Sequence, residues 1–92
     1  MRPVHPGRIL KREVEARSLS ANALAIALRT PSGRITDILN GKRGVSPETA
    51  MRLARYFGNS ARFWLNLQTD YELAVAEGEL GERIASEVTP AS

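Results

Sequence analysis

The chain has 92 residues, 42% of them apolar, which suits one domain with a modest core and excludes a generally disordered polypeptide. It contains no cysteine, which excludes a disulfide framework or a thiolate metal site, and no run nears the roughly 20 apolar residues of a membrane span. The net charge of +3 hides an asymmetry: residues 1–62 carry 12 Lys/Arg and 4 Asp/Glu, net +8, whereas residues 63–92 carry 1 and 6, net −5.

A basic body suits a polyanion such as nucleic acid, and an acidic C-terminal part suits a different partner. The plainer alternative is a set of solvated faces that differ in sign. The start, "MRPVHPGRILKREVEARS", lacks an apolar run with a small-residue cleavage site, so a cytoplasmic protein is expected.

Every strong periodicity is helical, and the expected class is all-α with five helices. The first helix is expected from Pro6, suited to a first helical position, to about Ala16, with Ile9, Leu10 and Val14 on one face. The second is short. Ser20 caps it, Leu24, Ala25 and Leu28 turn inward, and Leu19 stands at the spacing of a hydrophobic staple on Leu24. The third has Thr30 as N-cap, Pro31 at the first position, a buried stripe of Ile35, Ile38 and Leu39, and Gly41 as its left-handed stop. Only "RT" separates the second helix from Pro31, which makes a tight corner of the helix-turn-helix type.

The fourth helix is capped by Ser46, begun by Pro47 and stopped by Gly58. It carries Ala50, Leu53, Ala54 and Phe57 inward, while Arg52 and Arg55 face away. The fifth is expected from Ser60 to about Glu77, ending at the Gly78 and Gly81 pair. It bears two apolar stripes: Phe63, Trp64, Leu67, Tyr71 and Ala74, then Leu65, Leu73, Ala76 and Leu80. One stripe covers the core, and the other needs a partner, which makes Leu65, Leu73, Ala76 and Leu80 the expected dimer interface. The domain is thus expected over 1–80, with a flexible tail over 81–92.

No catalytic constellation is present, and no enzyme, metal or cofactor is expected: there is one histidine, no Gly-rich phosphate loop and no two-histidine metal spacing. His5, between two prolines' reach at the start of the first helix, is assigned a capping or packing role. A helix-turn-helix unit instead sends the N-terminal part of its second helix into the major groove while the first crosses the phosphates. Ser32, Gly33, Thr36 and Asp37 lie opposite or beside the buried stripe, so they point outward. Ser20 and Asn22 mark a helix N-terminus whose free N–H groups suit a phosphate. Asn40, Lys42 and Arg43 follow the third helix where a sugar-phosphate backbone would pass. Asp37 either accepts from a cytosine amino group or repels phosphates and sets register.

The run "ANALAIALRTPSGRITDILNGKRGVSPETAMRLARYFG" resembles the Cro/C1-type (Xre) helix-turn-helix domain. With "HPGRIL" before it and "FWLNLQTDYELAVAEGE" after it, the pattern narrows to HigA-type, VapI-like antitoxins, over about residues 5–78. The resemblance implies a lambda repressor-like five-helix homodimer that binds palindromic double-stranded operator DNA in its own promoter. It further implies neutralisation of a HigB-like, RelE-class ribonuclease toxin by direct binding, through the first helix, the acidic fifth helix or the tail. By position, base reading falls on Ser32, Gly33 and Asp37, with Arg34 and Thr36 nearby, and backbone contact on Ser20, Asn22, Asn40, Lys42 and Arg43. Two departures stand out. Arg29 occupies a turn position where relatives often carry glycine, and Gly33 one where many carry a larger polar side chain. The alternatives are a stand-alone repressor without a toxin, and a protein-interaction module that has lost DNA binding.

Overall fold

Four of the five helices begin at a side chain that accepts a backbone N–H, and the third does not. The computed structural model describes residues 3–91 as α1 (Pro6–Ala16), α2 (Ala21–Leu28), α3 (Ser32–Leu39), α4 (Pro47–Phe57) and α5 (Ala61–Glu87). Met1 and Arg2 of the expected domain and Ser92 of the expected tail lie outside the described residues. The hydroxyl oxygens of Ser20, Ser46 and Ser60 cap α2, α4 and α5, and the His5 imidazole caps α1.

Thr30 does not cap α3, contrary to expectation. Pro31 is the residue before the helix, extended at ψ 136°, and no side chain caps the first turn. Thr30 is engaged in ending α2 instead. Its N–H reaches Ala25 O at 3.0 Å and the Arg29 N–H reaches Ile26 O at 3.1 Å, the paired bonds of a Schellman motif. Arg29 takes the left-handed conformation there, at φ 55°. Gly41, at φ 73°, ends α3 by the same device, with Gly41 N–H to Ile38 O and Lys42 N–H to Asp37 O.

The expected inward faces meet in one core. Leu10 and Val14 of α1, Leu24, Ala25 and Leu28 of α2, and Ile35 and Ile38 of α3 close over Ala50, Leu53 and Ala54 of α4 and Trp64 of α5. Leu10, Leu24 and Leu53 are fully buried, worth on the order of 2 kcal/mol each by area removed from water. Trp64 is also fully buried, and its indole N–H finds Asn59 Oδ1 at 2.9 Å, so the ring's one polar group is satisfied.

The end of α5 differs from the reading of the sequence. The helix passes through Gly78 and Gly81 and stops at Glu87, not near Glu77. Neither glycine has positive φ. A helical glycine costs only about 1 kcal/mol relative to alanine and does not by itself end a helix. The stop comes where Thr89 precedes Pro90, a position that disfavours helical backbone. The far half of α5 projects from the domain, in keeping with a molecule 52 Å long and 22 Å across. No helix among the described residues is long and apolar enough to cross a membrane.

Candidate nucleic-acid interface

The α2–α3 unit sets out two helix N-termini and one basic loop. Ser20 and Asn22 are exposed at the start of α2, and the Ser20 Oγ accepts the Ala23 N–H at 3.0 Å. On α3, Ser32, Gly33 and Thr36 are exposed, Arg34 and Asp37 half-buried, while Ile35 and Ile38 are fully buried beneath. Asn40, Lys42 and Arg43 are exposed beyond the helix end. All ten residues expected from the sequence to face nucleic acid therefore lie on α2 or its N-cap, on α3 or in the loop after it, and none of them is buried.

Gly33 has open space around it, since a Cβ added there meets nothing within 4 Å. Its bareness is thus not required by the fold. Asp37 and Arg43, expected to contact bases and phosphates respectively, face one another: Asp37 Oδ2 stands 3.9 Å from Arg43 Nε, with both side chains about half exposed. Such a pair is worth at most about 1 kcal/mol in water and opens readily to a phosphate.

Three further residues hold this surface in place. Arg52 of α4 faces outward, as expected, but its Nη1 donates to Leu28 O at 3.0 Å and so ties α4 to the corner. Gln68 of α5 accepts the Val45 N–H at 2.9 Å. It falls on the buried stripe between Trp64 and Tyr71, and a polar residue on a buried face was the available signal. Gly7 lies so close to α3 that an added Cβ would stand 1.9 Å from Ile38 O. A glycine of poor helix propensity in the first turn of α1 was the sign of that approach.

His5 caps α1, in line with its assigned role, through Nδ1 accepting the Gly7 N–H at 2.9 Å. Its ring also lies against the Arg43 backbone and edge-on to Tyr71, centroids 4.9 Å apart. Burial lowers its pKa below the ordinary 6.5, and the Arg43 backbone partly opposes that shift.

On the expected dimer stripe, Leu73 and Leu80 are exposed at 54% and 40% and Ala76 is half-buried, whereas Leu65 packs against the chain's own core. The stripe continues to Ile84, 51% exposed, because the helix does.

A helix-turn-helix domain model matches residues 7–62. Virulence-associated protein I of Dichelobacter nodosus is 49% identical over 78 residues, 84% of this chain and 72% of that protein. An addiction module antidote protein of the HigA family from Coxiella burnetii superposes with a TM-score of 0.96 at 48% identity, over 99% of this chain and 100% of that one. The Pseudomonas aeruginosa antitoxin HigA, solved with the higBA promoter, gives a TM-score of 0.96 at 43% identity, over 99% of this chain and 100% of that one. With sequence and fold shared over nearly its full length, the chain belongs to the HigA family of helix-turn-helix antitoxins.

Proposed function

We propose that this protein is the antitoxin of a HigBA-like module, which binds operator DNA to repress its own operon and neutralises a HigB-like ribonuclease by direct binding. The observation that carries the DNA half is the bare, exposed N-terminal edge of α3 beside the Lys42–Arg43 loop, on a scaffold matching a HigA solved with promoter DNA. In this reading Ser32, Gly33, Arg34, Thr36 and Asp37 meet base edges. Ser20, Asn22, Asn40, Lys42 and Arg43 meet the sugar-phosphate backbone. Two protomers present their α3 helices to successive major grooves, roughly 34 Å apart. Their contact is assigned to Leu73, Ala76 and Leu80 of α5, extended by Ile84.

A mobility shift with the DNA upstream of its own gene tests the DNA half. The expected result is binding that weakens steeply with salt, and no shift at low salt would favour a protein-interaction module. Co-expression with the adjacent gene followed by pull-down tests the antitoxin half. A neighbour that is not a small ribonuclease-like protein, or that fails to co-purify, favours a stand-alone repressor.

A further inference from the structure

Lys42 and Arg43 sit in an exposed loop, and their reach depends on where its backbone is held. Two anchors flank them. On one side the Gln68 Oε1 of α5 accepts the Val45 N–H at 2.9 Å. Gly44 lies so close to that amide that an added Cβ would stand 2.7 Å from Gln68 Nε2. On the other side the His5 ring lies against the Arg43 backbone, with its Cγ 4.0 Å from where a Cβ on Gly41 would be. That ring is fixed by its own cap on Gly7 and by Tyr71 of α5, edge-on at 73°. Gln68 and Tyr71 are three residues apart, so one face of α5 serves both anchors. "HPGRIL", "ILNGKRG" and "FWLNLQTDY", far apart in the chain, thus converge on one loop.

We propose that Gln68 is a positioning residue for the Lys42–Arg43 segment, with His5 on Tyr71 as the second anchor, so that α5 fixes where the two cations stand. The inference rests on the DNA-binding reading above. A loop released from Gln68 samples more conformations, and ordering it then opposes binding. Its cations neutralise fewer phosphates on average, which lowers the salt slope as well as the affinity.

The test is binding of the full chain to its own upstream DNA across a salt series, with circular dichroism to confirm folding. Gln68→Met, which keeps the length and removes the acceptor, is expected to weaken binding about fivefold to tenfold at about 0.1 M salt and to lower the slope by about one. In a Lys42→Ala/Arg43→Ala background it is expected to do nothing further, because the groups it positions are gone. Gly44→Ala attacks the same contact from the loop side by pushing the Gln68 amide away, and carries the test if Gln68→Met does not fold. Wild-type slopes in both variants would overturn the proposal, and so would equal losses in the two backgrounds, the mark of general destabilisation. If the wild-type chain itself fails to bind at low salt, the DNA-binding reading falls and this inference with it.

Discussion

The guanidinium of Arg52 donates to the carbonyl oxygen of Leu28 at 3.0 Å, joining α4 to the last residue of α2. Thr30 donates its hydroxyl to the same oxygen at 3.4 Å, and Glu48 holds the Arg52 Nε at 3.3 Å from one turn away. The carbonyl lies at the end of α2, where intrahelical partners run out. Replacing Arg52 with methionine should keep the packing of the stem and lose the cap. With the Arg52 side chain 41% exposed, a loss of about 1 kcal/mol is expected, read as a lower urea midpoint at unchanged m-value. Lysine at this site should not restore the midpoint fully, since it cannot serve both oxygens in one plane.

Two helix ends carry a left-handed residue with a side chain, Ser18 at φ 52° and Arg29 at φ 55°. This conformation brings Cβ against the following carbonyl, a cost that glycine avoids. Ser18→Gly and Arg29→Gly should each stabilise the fold by roughly 0.5–1 kcal/mol, offset in part by the extra freedom of the unfolded chain. A thermal melt checks this, and a lower Tm in both would mean that the side chains contribute contacts worth more than the strain. The departure at Arg29 was visible in the sequence because a turn of this kind favours glycine there.

Gly7 and Gly33 both stand near the start of a helix, yet they should respond oppositely to alanine. At Gly7 the new methyl would stand 1.9 Å from the Ile38 carbonyl oxygen, a backbone atom that cannot swing aside, so α1 must move off α3. A loss of about 2 kcal/mol or more is expected, in the range of overpacked core sites. At Gly33 the methyl meets nothing within 4 Å, and alanine should stabilise the helix by up to about 1 kcal/mol. DNA binding by Gly33→Ala then separates two uses of the bare position. Weaker binding by a more stable protein means that close approach to the groove needs glycine, and unchanged affinity means that the position only relaxes specificity.

What the sequence made legible was the local part of the fold. Caps such as Ser20 and Ser46, stops such as Gly41 and Gly58, and the stripes Leu24–Ala25–Leu28 and Ile35–Ile38 follow from spacing alone, and each stands where it was expected. The outward edge of α3 followed from the same periodicity. Two kinds of feature were hidden. Thr30 has the side chain of a good cap for α3, but ending α2 claims it first. Gly78 and Gly81 look like a stop in the sequence, although a glycine stop needs left-handed geometry and not merely poor propensity. The other hidden kind is tertiary. Gln68 meets Val45 across 23 positions and Arg52 meets Leu28 across 24, distances over which periodicity carries no information.

His5 makes folding sensitive to pH in a window where carboxylates are silent. Burial lowers its folded pKa below the ordinary 6.5, and the Arg43 backbone offsets only part of the shift. The unfolded chain therefore takes up a proton more readily than the folded one. Well above pH 6.5 both states hold neutral His5 and stability is full, and it declines as pH falls through 6.5 toward the lower folded pKa. Protonation also places a hydrogen on Nδ1, which then faces the Gly7 N–H and can no longer accept it. His5→Asn keeps a capping acceptor and does not titrate. Urea midpoints from about pH 7.5 to about pH 5.5, above the carboxylate range, should fall for the wild-type chain and stay level for His5→Asn. Parallel curves for the two proteins would assign the titration to another group.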